Sequence, residues 1–148
     1  MGDFNAQMSS IRTGEKCVKE AYEKYGIETI RESLEVLIDH SGNEAREAVA
    51  NLPDGTWEAE EWLDDDGITD DMIRMAVKVT INGDRFIADY SDSDPMVSGP
   101  VNMAFGATIS MAKTYFKYLT TPNSPSNHGH YSPLEVIVPE GNLFHAVY

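Results

Sequence analysis

Apolar and polar positions change period along this chain from helical to alternating and back to helical. Between residues 3 and 25, Ile11, Val18, Ala21, Tyr22 and Tyr25 recur at spacings of three, four and seven. Arg12, Glu15, Lys16, Lys19, Glu20, Glu23 and Lys24 fill the remaining surface, which predicts an amphipathic helix with a candidate kink at Gly14. Gly26 suits a left-handed helix end, and Thr29 with Glu32 reads as a capping box opening a second helix. Its apolar face is Ile30, Leu34, Leu37, Ile38, Ala45, Ala48, Val49 and Leu52. Ser41-Gly42 leaves two readings open, a break with Ser41 and Glu44 as another capping box, or a glycine tolerated inside one helix. A helical hairpin over 1–52 is the expected product.

Pro53-Asp54-Gly55 closes the helical part and opens a strand system over 53–92. Thr56 to Leu63 alternates, with Trp57 and Trp62 on opposite faces. Asn82-Gly83 fits a type I′ turn, which pairs Ile81 with Asp84, Val79 with Phe86, Val77 with Ala88 and Met75 with Tyr90. The last three pairs share one face, and Arg74, Lys78, Thr80, Arg85, Ile87 and Asp89 fall on the other. The result is a three-stranded antiparallel meander, 56–63, 71–81 and 84–90. Asp64-Asp65-Asp66-Gly67 and Asp70-Asp71 lack the spacing and late glutamate of a calcium loop, so the run reads as a solvated connection.

In the 93–121 part, Asn102 is the expected cap of a long buried helix from Met103 to Leu119, with Phe105, Ile109, Ala112, Phe116 and Leu119 in one stripe. A loop follows, and Leu134 to Val138 reads as a short buried strand closed by Pro139, within 122–148. The fold class is α+β. The apolar end Leu143, Phe144, Val147 and Tyr148 implies something to pack against and reads as a truncation within a larger domain.

Charge narrows the function. With 11 Lys+Arg against 25 Asp+Glu, the net charge of -14 repels nucleic acid and anionic membranes. The single cysteine, Cys17, excludes an internal disulfide, and its helical setting suggests a buried thiol in a reducing compartment, the cytoplasm. No apolar window has the length of a membrane helix.

Chemistry concentrates in PNSPSNHGHYSPLEVIVPEG, residues 122–141. His128 and His130 lie one residue apart around Gly129, which allows close approach of a ligand. Imidazole titrates near neutrality, so either histidine suits a general base or a substrate hydrogen bond. Two other readings stay open: a metal pair, whose nearest further ligands are Asn127 and Glu135, and an ordered loop with satisfied histidines. Asp3, Asn5, Gln7, Ser10 and Arg12 form a second polar cluster, in which Asp3 is equally a helix cap. His40 reads as structural. There is no phosphate loop, dinucleotide fingerprint or serine-hydrolase elbow.

GDFNAQMSSIRTGE with the following KYG, LPDGTWEAEEWLDDDG, DYSDSDPMVSGPVNM and SPSNHGHYSPLEVIVPEG, in this order, resemble the hydantoinase B/oxoprolinase family over nearly the whole chain. Family members are several times longer, so the resemblance is to an internal segment. It implies an ATP-dependent system in which a hydantoinase A-type subunit or domain, with ATP and Mg, phosphorylates a carbonyl or amide oxygen. The B part then completes opening of a cyclic amide such as a hydantoin or 5-oxoproline; in ketone carboxylases the same activation serves carboxylation. Homo- and hetero-oligomers are implied, and any divalent metal belongs upstream of GDFNAQ, leaving no metal or cofactor within this chain. By this resemblance Asp3, Asn5, Gln7 and Arg12 match one motif, and Asn127, Gly129, Pro133 and Glu135 another. Asp3, His128 and His130 are the candidate catalytic residues; Asn5, Gln7, Arg12, Asn127, Gly129 and Glu135 are the candidate substrate contacts. Many relatives carry small residues at positions 128 and 130 and arginine at 132, so these two histidines mark a different substrate branch. A segment serving chiefly in assembly is the reading outside enzymology.

Overall fold

Helix α1 (Gly2–Tyr25) ends where Gly26 takes φ 82°, and helix α2 (Ile27–Ala50) begins at the next residue. The computed structural model describes residues 2–147; Met1 and Tyr148, the last residue of the apolar end, lie outside the described residues. Gly26 serves both helices, its N–H donating to Tyr22 O at 2.9 Å and its carbonyl accepting from Ile30 N at 3.3 Å. That leaves no room for the expected capping box: Thr29 already lies inside α2, where its carbonyl accepts the Ser33 hydroxyl at 2.7 Å. Asp3 likewise falls within the first turn of α1 and is not its cap, a place where a carboxylate meets the positive end of the helix dipole. Ser41-Gly42 does not interrupt α2.

The chain forms two compact units, 1–39 and 40–148. The first holds the helical hairpin of α1 and the beginning of α2. No described residue of α1 is buried, and Phe4, Ile11, Val18, Leu34 and Leu37 are exposed. Cys17 is exposed as well, contrary to the buried thiol expected, because its own helix supplies no cover. Pairs one turn apart, Glu15 with Lys19 at 2.5 Å and Lys16 with Glu20 at 3.7 Å, line α1 and contribute a few tenths of a kcal/mol each (~0.3–0.5).

The second unit packs the end of α2 and helix α3 (Phe105–Thr120) against a four-stranded sheet of order β1-β2-β3-β4. Strands β1 (Gly55–Leu63), β2 (Ile73–Asn82) and β3 (Arg85–Asp89) form the antiparallel meander. The turn differs from expectation. Ile81 pairs with Phe86 and Val79 with Ala88, so the two central residues are Gly83 and Asp84. A type I′ turn needs positive φ at both centres, whereas here only Gly83 has it, at 60°, as the first centre of a type II′ turn requires. Its N–H donates to Asp54 Oδ1 at 2.9 Å, which anchors the shifted turn. The register moves by two residues, an even step that leaves both faces as the alternation sets them.

Strand β4 (Leu134–Ile137) adds to β3 in parallel, pairing Phe86 with Leu134 and Asp89 with Ile137. It is an edge rather than a buried strand: Glu135 and Ile137 are exposed, and only Val138 beyond it is buried. The core joins Ala45 and Val49 of α2, Ile81, Phe86 and Ala88 of the sheet, and Phe116 of α3. Phe86 and Phe116 meet edge to face at 5.4 Å, and burying each ring contributes about 1.5–3 kcal/mol. Helix α3 buries a single line, Thr108, Ala112 and Phe116, and leaves Phe105, Met111, Tyr115, Tyr118 and Leu119 exposed. Among the described residues no helix is long and apolar enough to cross a membrane.

Where β3 stops, side chains take over its pairing. Ser93 Oγ accepts from Ala76 N at 2.9 Å and donates to Ala76 O at 2.7 Å, and Asp94 Oδ2 accepts from Arg74 N at 2.7 Å. Asn142 Nδ2 donates to Tyr90 O and Ser93 O, both at 3.1 Å. Asn102, expected to cap α3, instead closes the loop before it, accepting from Val97 N at 2.8 Å and donating to Val97 O and Gly99 O. Ala104 stands at the cap position without a side-chain bond. The acidic run is only partly solvated, because Asp66 is 2% exposed. Its carboxylate accepts from Thr69 N at 2.7 Å, Ile68 N at 2.9 Å and Gly99 N at 2.9 Å, and these N–H groups hold its pKa below the usual carboxylate value against the cost of burial.

A Cβ at Gly99 would stand 1.8 Å from Asp66 O, a distance no side chain can occupy. Gly99→Ala is therefore expected to cost more than ~4 kcal/mol in urea unfolding. A loss below ~1 kcal/mol would show that the two loops separate freely.

Candidate functional site

The return from α3 to β4 carries the histidines. Helix α3 ends at Thr120, and Thr121 N donates back to Lys117 O at 3.2 Å. Lys117, in the last turn, reaches past the helix end: its Nζ donates to Thr121 O, and to Ser124 O at 2.5 Å. A cation there satisfies carbonyls that have no partner within the helix and faces the negative end of its dipole. From the other side α2 grips the loop. Ser124 Oγ donates to Glu44 Oε1 at 2.5 Å, Asn127 Nδ2 donates to Ser41 Oγ at 2.6 Å, and Arg46 Nη1 donates to Ser132 Oγ at 2.8 Å. Gly129–Tyr131 forms one 3-10 turn, closed by Ser132 N to Gly129 O at 2.9 Å.

This frame separates the two histidines. His128 is exposed at the turn's start, where its carbonyl accepts from Tyr131 N at 3.3 Å. His130 has no exposed surface. Its Nε2 meets the Thr121 hydroxyl and lies 3.4 Å from Lys117 Nζ, and its N–H donates to Asn127 Oδ1 at 3.4 Å. Nδ1 is buried without a hydrogen-bond partner among the described residues. Burial pushes the His130 pKa below the ordinary imidazole value, the Lys117 charge adds to this, and Glu44 opposes it.

The other expected residues lie elsewhere. Glu135, on exposed β4, pairs with Arg85 Nη2 at 2.6 Å. Asp3, Asn5, Gln7 and Arg12 are exposed positions of α1, in the first compact unit. Asn127, Gly129 and His130 are thus brought together in one loop, and Glu135 faces its own ion pair. Ser41, Glu44, Arg46, Lys117 and Thr121 escaped the sequence reading of the site. Lys117 alone left a signal, as one of two lysines in an otherwise apolar helix. Among the described residues no group of three His, Cys, Asp or Glu side chains is placed to hold a metal ion.

Comparison with known proteins sets this geometry among relatives. Residues 1–148 match the family described as hydantoinase B/oxoprolinase. The B subunit of a "Putative D-/L-hydantoinase" of Pseudomonas sp. (strain NS671) is 31% identical over 164 residues, covering 100% of this chain and 27% of that protein. The beta subunit of the caprolactamase of Pseudomonas jessenii is 27% identical, covering 98% of this chain and 25% of its own length. The crystal structure of the ATP-dependent caprolactamase from that organism superposes with a TM-score of 0.86 at 26% identity, over 99% of this chain and 25% of that one. A nucleotide-free acetone carboxylase structure shares the fold, with a TM-score of 0.77 at 17% identity over 88% of this chain and 19% of that one. The chain spans about a quarter of the length of these two curated relatives.

Removing the Asn127 amide takes a partner from both the Ser41 hydroxyl and the His130 N–H. Asn127→Ala is expected to lower stability by about 1–2 kcal/mol in urea unfolding. Glu135→Ala, at an exposed pair, should stay within about 0.5 kcal/mol. Equal losses would contradict the framing of the loop by α2.

Proposed function

Because the chain belongs to the hydantoinase B/oxoprolinase family, we propose that it forms part of a B-type subunit that completes ATP-dependent opening of a cyclic amide, of the hydantoin or 5-oxoproline type. The observation that carries this reading is the match along the entire chain to relatives named for hydantoins and caprolactam, both cyclic amides, at 31% and 27% identity. The acetone carboxylase likeness, at 17% identity, supports the fold alone and leaves ketone carboxylation as the alternative.

ATP with Mg, held by a hydantoinase A-type partner, would supply phosphorylation of the amide oxygen, which makes the ring carbon open to water. This chain's own contribution is one wall of the site. His128, exposed on a loop fixed from two sides, takes the proton of the attacking water as general base, a role open to an imidazole near neutral pH. Asn127 and Gly129 shape the loop behind it, with His130 as the buried support of that shape. Asp3, Asn5, Gln7 and Arg12 offer exposed polar groups on α1 for substrate or for the facing chain, and Glu135 fixes the start of β4 through Arg85. Arg46, half-buried and bonded to Ser132, supplies a cation beside the loop for the acid that ring opening creates.

One feature favours assembly as a second role. Val77, Val79 and Phe86 of the sheet and Tyr115, Phe116 and Leu119 of α3 line an apolar groove of about 370 Å³. A surface of that kind is suited to burial against further protein.

In the complete enzyme with its A-type partner, ATP turnover should depend on a cyclic amide and yield the ring-opened acid. Incorporation of labelled bicarbonate into a ketone, with no ring opening, would favour the carboxylase reading. His128→Ala is expected to lower kcat about 100-fold with assembly intact. Unchanged turnover would remove His128 from the chemistry. The 148-residue chain by itself is expected to turn over no substrate.

A further inference from the structure

Half-buried Lys117 and fully buried His130 form a pair that ordinary packing does not explain. An ammonium donates hydrogen bonds and accepts none, so Nζ at 3.4 Å from Nε2 is favourable only with an unprotonated nitrogen there, to which the Thr121 hydroxyl can also donate. The ring proton then belongs on Nδ1, the buried atom without a partner among the described residues. A second proton, on Nε2, would put two like charges at that separation, one of them on a ring with no exposed surface.

The surroundings offer little relief. From α3 the charged neighbours are Lys117 itself and Lys113, whose Nζ lies 5.2 Å from the centre of the Tyr131 ring. From α2 they are Glu44, already accepting the Ser124 hydroxyl, and Arg46, turned to Ser132. From the turn itself come the exposed His128 and the Tyr131 ring, 5.7 Å from that of His130. Glu44 is the one acid in this set, and its charge opposes that of Lys117 at the ring.

We propose that Lys117 is a positioning residue that holds His130 neutral and so latches the Thr121–Ser132 loop, and that protonation of His130 in mild acid releases the latch. At neutral pH the ammonium binds Thr121 O, Ser124 O and the bare Nε2 together, which draws the end of α3, the middle of the loop and the 3-10 turn onto one atom. In acid the imidazolium and the ammonium cannot share that space, and one of them leaves. The sign follows from the lowered imidazole pKa. The unfolded chain takes the proton first as pH falls, so the latch's contribution is complete above about 6.5 and declines below it until the lowered folded value is reached. The consequence for His128, carried on the same loop, rests on the functional reading above; the latch itself does not.

The test therefore uses no substrate. Imidazole nitrogen NMR on the 148-residue chain should show His130 as the Nδ1–H tautomer at about pH 7.5, with a titration midpoint below the ordinary imidazole value of about 6.5. Protection factors of the amides across 121–132, which take out the intrinsic slowing of exchange in acid, should fall as that midpoint is passed. Lys117→Met should raise the midpoint by about one pH unit and quicken loop exchange at the same neutral pH. His130→Gln, which cannot gain the proton, should remove the acid-dependent part of the exchange. An Nε2–H tautomer with a midpoint at the ordinary imidazole value in the unsubstituted chain would overturn the proposal, as would a midpoint unmoved in Lys117→Met. These readouts stand whether or not the enzyme opens cyclic amides, so the two readings fail separately.

Discussion

A strand lying parallel to its predecessor cannot be reached by a tight turn, and that constraint on β3 and β4 organises the larger unit. The chain must leave the end of β3, cross one face of the sheet and return to the beginning of β4. Helix α3 is that crossing. Its stripe of Thr108, Ala112 and Phe116 is the face turned inward, and Phe116 meets Phe86 of β3. Two connections result, one at each end of the crossing, and both must satisfy backbone groups that no strand pairs. At the end of β3 the side chains of Ser93, Asp94 and Asn142 do so. Before β4, Lys117 does so, while the second half of α2 holds the loop's side chains.

The second of these connections has the composition of a site because it needs polar groups to exist at all. Lys117, Glu44, Ser41 and Asn127 are committed to the loop's own shape, which leaves His128 as the imidazole facing outward. A reactive group at a loop tip is useful only if the tip is held, since small displacements of a general base weaken proton transfer steeply. The strongly acidic chain nevertheless gathers Arg46 and Lys117 around this one turn.

Periodicity carried much of the architecture. It told which residues of the hairpin share a face, because a face depends only on alternate spacing, and that survived a register two residues away from the expected one. It gave α3, but of its expected stripe only Ala112 and Phe116 turn inward, with Thr108 beside them, while Phe105 and Leu119 are exposed. It could not tell which side chains would meet across long stretches of sequence. Ser41 and Asn127 are 86 residues apart, and neither neighbourhood announces the other. Asp66 looked like one of several acids in a wet loop, since its burial depends on Gly99, in a different connection. Asn102 has the residue type of a helix cap, but the loop before α3 offered its amide more partners than the helix did. His128 and His130 are near neighbours in sequence and opposites in setting, a difference created by the 3-10 turn between them.

The contact between Asp66 and Gly99 also bears on how the molecule can change over time. The loop after β1 and the loop before α3 meet backbone to backbone, so lengthening either one shifts the carboxylate off the amide it serves. Insertions that a surface loop would ordinarily tolerate are then admissible only in matched pairs or on the far side of the contact, toward Asp70-Asp71 or Ser91-Asp92. Homologues that vary in length here should vary at those flanks, and a fusion or tag grafted between Asp66 and Gly67 would disturb a loop far along the chain.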